Sequence, residues 1–285
     1  MGAKETTQFN LAQRMYTKRA SDYDSSWHAE YSKRFIKVAN VKHNDHILDL
    51  ACGTGLDALE AASLVGDNGR VICVDATESM LQAFQQKLRQ DTQLAGRIKL
   101  FQHDVTDLST CKEIERGIFD LILCSNAFVL FAGDAAKVVR HWSEYLKVGG
   151  RMVIDIPHQL SFRQGNLLET VFDRLGIPFP SKRLWVKSID SFKGILEHEG
   201  LVVEHIETVD DVSGKGHVFA DGTSLQADEM FDSSMKVIPS PEGMSLEELA
   251  ARAKPLFREE WEKAAVDGKV EIYDTLYIYV AAKKK

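Results

Sequence analysis

Short, almost uninterrupted apolar runs alternate along the chain with segments whose apolar residues recur at helical spacing. Such runs are typical of strands that are buried on both faces of a parallel sheet. Five of them lie at 47–50, 70–75, 98–101, 119–124 and 152–156. Strands that alternate with helices in this way predict right-handed β-α-β units, and therefore an α/β fold whose parallel sheet has helices on both faces.

Three segments stand outside this alternation. Residues 7–40 have helical spacing with a break near 21–26, and composition alone indicates an amphipathic helix packed on the core. Residues 157–187 form a basic insertion, and residues 209–269 form a second one whose first half is acidic.

The pattern continues around the insertions. It predicts a helix at 188–199, a strand at 201–208 and a last strand at 272–281. In the second insertion, Ser245 opens a helix capping box. Because proline lacks the N–H of a helical hydrogen bond, Pro255 is expected to kink or split the helix that follows.

Two closely spaced glycines end the first predicted strand. Gly53 and Gly55 can adopt positive φ and, having no side chain, let a ligand approach the backbone. The following helix offers unpaired N–H groups and the positive end of its dipole. Asp75 ends the next strand about 20 residues later, so the pattern also satisfies the dinucleotide-binding fingerprint. The turn alone therefore leaves nicotinamide enzymes and other adenosine binders open.

Two further carboxylates separate these alternatives. Asp49 lies inside the glycine motif, where it would repel a diphosphate but attract a sulfonium or amino group. Asp104 follows the third predicted strand and could accept a hydrogen bond from an adenine amino group. Together with Asp75 they suit a cofactor that has adenine, a ribose and a cationic amino-acid tail, but no phosphate.

Composition and charge narrow the function further. The chain has 285 residues, of which 44% are hydrophobic and 27% charged, as in globular proteins with a substantial core. The formal net charge of −7 argues against nucleic-acid binding through a general positive surface. The four cysteines form no C-x-x-C pair, and no apolar run is long enough to span a bilayer. We therefore expect a cytoplasmic protein with reduced thiols, no leader, no membrane span and no metal site.

The chain resembles the class I S-adenosylmethionine-dependent methyltransferases, in particular the small-molecule branch with the ubiquinone/menaquinone-type and trans-aconitate-type enzymes. Residues 49–55, Asp-Leu-Ala-Cys-Gly-Thr-Gly, match the first motif of this family, with Ala51 where many members have glycine. The likeness covers 8–156 well, and 188–208 and 270–282 more loosely. It implies a Rossmann-like, mostly parallel sheet of seven strands with the last strand antiparallel. It also implies S-adenosylmethionine as cofactor, with S-adenosylhomocysteine as its product.

The resemblance also implies a set of cofactor-binding residues. The acid that holds the ribose hydroxyls is matched by Asp75, the pair beside the adenine by 104–105, and the segment near the methionine end by 125–126. The implied contacts are Tyr16, Tyr23, Trp27, Asp49, Ala51, Cys52, Gly53, Gly55, Asp75, Ala76, Asp104, Val105, Ser125 and Asn126.

An aromatic pattern precedes the first predicted strand. Tyr16, Ala20, Tyr23 and Trp27 resemble the Y-x-x-x-A-x-x-Y-x-x-x-W segment that folds over the cofactor in this family. The resemblance thus favours a lid over the packed helix that composition alone indicates. It divides the chain into a helical lid at 1–40 and a methyltransferase domain at 41–285.

The expected reaction is methyl transfer to a small organic acceptor, with O-methylation of a hydroxyl or carboxylate slightly favoured. A sulfonium methyl is already activated, so catalysis depends chiefly on aligning the acceptor and excluding water. A general base helps when the acceptor is a hydroxyl or an acidic carbon, and the candidates are His158 and His28. Three alternatives stay open: N- or C-methylation, a non-methylating reaction of a protein that binds this cofactor, and a nicotinamide oxidoreductase.

The two insertions are expected to form a cap over the acceptor side. A carboxylic acid could pair with Arg163 or Arg183, whereas an alkaloid or phenol could lie on the apolar stretch 128–131. One insertion is basic and the other acidic, so charge does not select the acceptor. The expected setting is small-molecule or secondary metabolism, with a monomer or a homodimer.

Overall fold

A seven-stranded sheet forms the centre of the molecule. The computed structural model describes residues 3–131, 134–216 and 218–284. Its strands are β1 (His46–Leu50), β2 (Arg70–Asp75), β3 (Ile98–Gln102), β4 (Phe119–Cys124), β5 (Leu146–Pro157), β6 (Leu201–Val209), β7 (Val218–Asp221), β8 (Lys269–Ile272) and β9 (Leu276–Lys283). The large sheet has the order β3-β2-β1-β4-β5-β9-β6, and β7 pairs with β8 separately.

Strands β1 to β5 are parallel to one another, as the five apolar runs predicted. Strand β9 is antiparallel to both β5 and β6. Ile47 packs into the hydrophobic cluster on one face of the sheet and Leu48 into the cluster on the other. The prediction of a mostly parallel seven-stranded sheet with an antiparallel last strand is confirmed.

Helices cover both faces of the sheet. They are α1 (Ala3–Arg19), α2 (His28–Ala39), α3 (Leu56–Leu64), α4 (Glu78–Gln90), α5 (Thr92–Ala95), α6 (Ala135–Ser143), α7 (Arg163–Leu175), α8 (Asp190–His198), α9 (Ser224–Met235) and α10 (Leu246–Ala264). The predicted break near 21–26 separates α1 from α2. Among the described residues, no helix combines the length and the apolar character that crossing a membrane requires.

The insertions build a layer of their own, which we call the inserted layer and which consists of α7, α9, α10, β7 and β8. Its hydrophobic cluster includes the fully buried Phe172, Phe231, Phe257 and Trp261. Because this cluster is separate from the two that flank the large sheet, the inserted layer has its own packing.

Two predictions about the second insertion are corrected in detail. Of the predicted kink or split at Pro255, the split does not occur: α10 continues through Pro255, and Leu249, Ala253, Phe257 and Trp261 are buried along one face on both sides of it. The predicted last strand is interrupted between β8 and β9. There Thr275 donates from N to Ser161 Oγ at 2.8 Å and from Oγ1 to Asp210 Oδ1 at 2.9 Å, instead of joining a strand ladder.

Candidate functional site

The glycine motif forms a tight turn between β1 and α3. Ala51, Gly53 and Gly55 have φ values of 58°, 55° and 82°, so each adopts the left-handed conformation. At Ala51 this costs roughly 1–2 kcal/mol that glycine would not incur. A Cβ at Gly55 would lie 2.3 Å from the Phe84 ring, so this glycine lets α4 pack against the turn. The motif therefore needs its glycines for conformation and for packing.

Asp75 ties the end of β2 to the glycine turn. Its Oδ2 accepts a hydrogen bond from Gly53 N at 2.9 Å, and its Oδ1 accepts one from Thr77 N at 2.7 Å. The residue is 8% exposed, and burial raises the pKa of its carboxyl group. Each carboxylate oxygen has two lone pairs, so both can accept one more hydrogen bond. Asp75 can therefore bind two hydroxyl groups of a ligand.

A cavity lies at the carboxyl ends of β1, β2 and β4, and we call it the first cavity. Nine predicted cofactor-binding residues line it: Tyr16, Tyr23, Ala51, Gly53, Asp75, Ala76, Val105, Ser125 and Asn126. The sequence did not indicate the other lining residues, which are Phe9, Ala12, Gln13, Thr77, Met80, Ala127, Leu130 and Phe131. Most of these added side chains are apolar, so they complete a wall that an adenine ring can contact.

Helix α1 covers the first cavity. Phe9, Ala12, Gln13 and Tyr16 line it, and Gln13 Nε2 donates to Ala76 O at 2.8 Å. The turn after α1 is held by Asp24, which accepts hydrogen bonds from Thr54 Oγ1 at 2.5 Å and Lys87 Nζ at 2.6 Å. These contacts place the N-terminal segment where a lid would lie. Residues 1 and 2 of the predicted lid lie outside the described residues.

Five predicted cofactor-binding residues do not line the first cavity: Trp27, Asp49, Cys52, Gly55 and Asp104. Asp104 does not line the cavity, and its Oδ1 accepts hydrogen bonds from Thr106 N and Thr106 Oγ1, at 2.9 and 2.8 Å, which close its own turn. Its neighbour Val105 reaches the cavity instead. Cys52 is buried behind the turn, and Trp27 lines a second cavity.

Asp49 is a buried carboxylate in β1, just before the glycine turn. It is 1% exposed, and its Oδ2 has no hydrogen-bond partner among the described residues. Burial raises the pKa of Asp49 well above its ordinary value, and the charges of Asp57 and Asp75 raise it further. Such a group suits a nearby cation, as the position of Asp49 in the motif predicted.

We expect Asp49→Asn to stabilise the ligand-free protein at about pH 8, by about 1–3 kcal/mol, because the variant removes a buried, unpartnered charge. A carboxyl whose pKa is raised on folding destabilises the native state progressively as the pH rises above its unfolded value, here about 4. The gain should therefore be small near that pH and increase towards pH 8. Urea unfolding at a series of pH values measures it.

Asp120→Asn is the matched control for Asp49→Asn. Burial opposes ionisation of Asp120 too, but hydrogen bonds from His46 N and Lys147 Nζ lower the pKa of its carboxyl group. This variant should lose stability at neutral pH, and the loss should vanish as the pH falls below the ordinary value. If Asp49→Asn shows the same pH dependence as the wild type, Asp49 does not carry the unfavourable charge.

A second cavity, of about 320 Å³, adjoins the first. Tyr16, Asn126, Ala127 and Leu130 line both. Residues of both insertions line the second cavity, namely Phe162, Gln164, Gly165, Leu168, Phe179, Pro180, Ser181 and Arg183 from the first and Ser234, Val237 and Ile238 from the second. The two cavities therefore meet at residues that follow β4, with the inserted layer on the far side.

The structure does not favour the predicted histidine bases. His158 lines neither cavity; its ring stacks on Tyr273, and its Nδ1 accepts a hydrogen bond from Leu160 N at 3.1 Å. His28 lines the second cavity, but its ring stacks between Tyr23 and Trp27. Burial lowers the pKa of His28 to about 3, so its imidazole is a weak base.

Asp155 is a candidate functional residue that the sequence reasoning did not name. It lies near the end of β5, is 1% exposed and lines the second cavity. Its Oδ1 accepts from Asn126 N at 2.8 Å, and its Oδ2 accepts from Tyr31 Oη at 2.7 Å and Ser125 Oγ at 3.2 Å. Burial raises the pKa of Asp155 to about 7. The signal in the sequence was the position of Asp155 near the carboxyl end of a predicted parallel strand, where Asp75 also lies.

Residues 47–150 match the methyltransferase domain family. The chain contains a class I S-adenosylmethionine-dependent methyltransferase domain. Ubiquinone/menaquinone biosynthesis C-methyltransferase UbiE of Proteus mirabilis is 29% identical over 170 residues, which cover 53% of this chain and 65% of that protein. The chain thus spans slightly less than two thirds of this curated relative.

Solved structures share the fold of this methyltransferase domain. The YcgJ protein from Bacillus subtilis superposes with a TM-score of 0.59 at 17% identity, covering 90% of this chain and 99% of that chain. Geranyl diphosphate C-methyltransferase from Streptomyces coelicolor A3(2), solved with Mg²⁺, geranyl diphosphate and S-adenosyl-L-homocysteine, gives a TM-score of 0.52 at 12% identity, covering 90% and 80%. The predicted family and Rossmann-like fold are confirmed. The matched stretch, 47–150, excludes α1 and the inserted layer, so the domain match describes the first cavity better than the second.

Proposed function

We propose that the protein binds S-adenosylmethionine in the first cavity and transfers its methyl group to a small organic acceptor in the second. The observation that carries this proposal is that the two cavities meet at Tyr16, Asn126, Ala127 and Leu130. A donor and an acceptor held on either side of these residues could be aligned for direct transfer.

The residues of the first cavity fit the cofactor. Asp75 has two free acceptor positions for the ribose hydroxyls. Met80, Val105 and Phe131 offer apolar contacts for the adenine. Ser125 and Asn126 would contact the methionine end, and the unpartnered carboxylate of Asp49 favours its positive charge. When bound, the cofactor supplies an electrophilic methyl group on a sulfonium.

We also propose that α1 acts as a lid over the first cavity. This role agrees with the proposed division of the chain into a helical lid at 1–40 and a methyltransferase domain at 41–285. The contact of α1 with Ala76, and the two hydrogen bonds that hold Asp24 in the turn after this helix, would keep α1 over the first cavity, where a lid helps to exclude water. A cofactor that is enclosed in this way must enter before these contacts form. The inserted layer would similarly cap the acceptor, since both insertions line the second cavity.

Asp155 is the base that this geometry favours. It lines the second cavity and bonds to Asn126, which lines both. A base works best when its pKa is close to the working pH, and the value for Asp155 is about 7. Its role implies an acceptor with an ionisable hydroxyl or an acidic carbon.

The accepting atom is oxygen or carbon in this proposal. The sequence favoured oxygen slightly, whereas the UbiE relative is by name a C-methyltransferase, which supports carbon. Removing a proton from a phenol or enol activates both its oxygen and the neighbouring carbon, so Asp155 could serve either reaction.

The proposal is tested by calorimetry with S-adenosylhomocysteine and by incubation with S-adenosylmethionine carrying a ¹³C-labelled methyl group. We expect S-adenosylhomocysteine to bind, and the label to move to an acceptor in a metabolite mixture. The ¹³C chemical shift of the product distinguishes O-, N- and C-methyl groups. Absence of binding would refute the proposal. Binding without transfer to any acceptor would favour the non-methylating alternative, and NADH binding detected by fluorescence would favour the oxidoreductase.

A further inference from the structure

A buried arginine stands in the mostly apolar wall of the second cavity. The side chain of Arg183 is 12% exposed, and its Nε is buried without a hydrogen-bond partner. Within the described part of the chain, its guanidinium group donates no hydrogen bond to another residue. Burying a cation costs free energy unless it is paired, so the position of Arg183 points to an anion from outside the chain.

Glu169 does not supply that anion fully. Its Oε1 and Oε2 each lie 3.1 Å from Arg183 N, and its Oε1 lies 3.3 Å from Leu184 N, so backbone amides hold this carboxylate. Its contact with the guanidinium is 3.9 Å, from Oε2 to Arg183 Nε, which is longer than a hydrogen bond. The two Nη groups of Arg183 are therefore left for a ligand.

Gly165 makes room for the guanidinium at the cavity wall. A Cβ at this position would lie 1.6 Å from Arg183 Nη2 and 2.8 Å from its Cζ. Gly165 belongs to α7, where glycine is less favourable than alanine. Both residues line the second cavity. Any larger residue at position 165 would collide with the guanidinium of Arg183, which accounts for a glycine inside this helix.

The other charged groups of the cavity leave its Arg183 side positive. The guanidinium of Arg19 lies 5.2 Å from the ring centroid of Tyr16 and 5.7 Å from that of Tyr23, and that of Arg183 lies 5.7 Å from the ring centroid of Phe162, so both arginines have aromatic contacts. Arg183 differs because its Nε is buried without a hydrogen-bond partner among the described residues. Asp155 bonds to Asn126, at the junction with the first cavity, which Arg183 does not line. His28 is neutral because burial lowers its pKa to about 3.

We propose that Arg183 binds the carboxylate of an apolar organic acid, which is the methyl acceptor. The guanidinium of Arg183 has a long ion-pair contact with Glu169 and lies over the ring of Phe162, but it donates no hydrogen bond within the described residues. It therefore suits a single carboxylate, held by two parallel hydrogen bonds. A diphosphate would require more cations than this wall offers. Phe162, Leu168 and Phe179 provide contacts for the apolar body of the acid. The anion site stands on the geometry alone; only its identification as the acceptor site rests on the proposed function.

The test compares acids with their uncharged amides. We expect 4-hydroxycinnamate and octanoate to bind the wild-type protein about 10-fold or more tightly than 4-hydroxycinnamide and octanamide, measured by calorimetry with and without S-adenosylhomocysteine. Arg183→Met should abolish this preference and leave amide binding intact, whereas Arg183→Lys should retain part of it. Thermal unfolding and S-adenosylhomocysteine affinity show whether each variant is folded.

Arg163→Met is the matched control. Arg163 is also a half-buried arginine of the first insertion with an unpartnered Nε, but it does not line the second cavity. Its variant should keep the preference for acids. Three results would overturn the proposal. The wild-type protein could bind acids and amides equally, it could bind neither acid at millimolar concentration, or Arg183→Met could keep the preference for acids. Acid preference without methyl transfer would overturn the proposed function alone, and methyl transfer without acid preference would overturn this inference alone.

Discussion

Replacing Asp75 with alanine is expected to weaken the binding of S-adenosylhomocysteine by about 100-fold or more. Hydrogen bonds to a charged group contribute about 1.5–3 kcal/mol each, and tenfold in affinity corresponds to about 1.4 kcal/mol. Asp75 can accept two such bonds from a ribose while it still holds Gly53 N and Thr77 N. Calorimetry on the purified variant measures the loss.

A second ligand separates ribose recognition from damage to the turn. An analogue of S-adenosylhomocysteine without the two ribose hydroxyls should bind weakly to the wild type. It should bind to Asp75→Ala about as well as the parent compound does, because the partner of the hydroxyls is gone. Asp120→Ala removes a carboxylate from the start of β4 and should leave both affinities unchanged. If Asp75→Ala still distinguishes the two ligands as the wild type does, another residue binds the ribose.

Asp75 also shows which part of the site local sequence could predict. Strands β2 and β4 have the bounds that the apolar runs gave, Arg70–Asp75 and Phe119–Cys124. The carboxyl ends of parallel strands share one edge, so residues that follow them meet there whatever the rest of the chain does. Seven of the nine predicted contacts line the first cavity for this reason; the other two, Tyr16 and Tyr23, come from the N-terminal segment.

The remainder depends on distant parts of the chain. Phe9 and Gln13 reach the cavity because α1 packs across the sheet edge, and their spacing in the sequence indicates only a helix face. Asp104 follows the end of β3 by two residues, whereas Asp75 is the last residue of β2, and one oxygen of Asp104 is bound in its own turn. Arg183 meets Gly165 only through the path of the first insertion, which no periodic pattern fixes. Local sequence therefore named some residues that line the second cavity, namely Arg183 and 128–130, but could not predict that the insertions bring them together.

Asp155→Asn is expected to lower kcat by about 10²- to 10⁴-fold, which is the usual contribution of a general base. Asparagine keeps the shape of the side chain, and its oxygen can still accept from Asn126 N. The affinity for S-adenosylhomocysteine should therefore change little. His158→Asn is the control, since His158 lines neither cavity, and its kcat should stay within a few-fold of the wild-type value. Steady-state kinetics with the acceptor identified by ¹³C labelling measures both.

The pH profile distinguishes a base from a structural carboxylate. Asp155 accepts a proton only when it is ionised, so kcat/KM of the wild type should rise with pH and level off above about pH 7, in line with its pKa of about 7. Tyr31→Phe removes a hydrogen bond that lowers the pKa of Asp155, so the profile should move to higher pH. Asp57→Asn removes a charge that raises this pKa, so the profile should move to lower pH. An Asp155→Asn variant that keeps the wild-type rate and profile would exclude Asp155 as the base.

Stability should follow the opposite trend. The pKa of Asp155 in the folded state, about 7, exceeds the unfolded value, so the native state binds more protons than the unfolded chain between about pH 4 and pH 7. The contribution of Asp155 to stability therefore decreases as the pH rises through this window, while its activity as a base increases. Asp155→Asn should remove this part of the pH dependence of the free energy of unfolding, measured in urea. The same buried carboxyl group thus links a gain in reactivity to a loss of stability, and both changes should disappear in one variant.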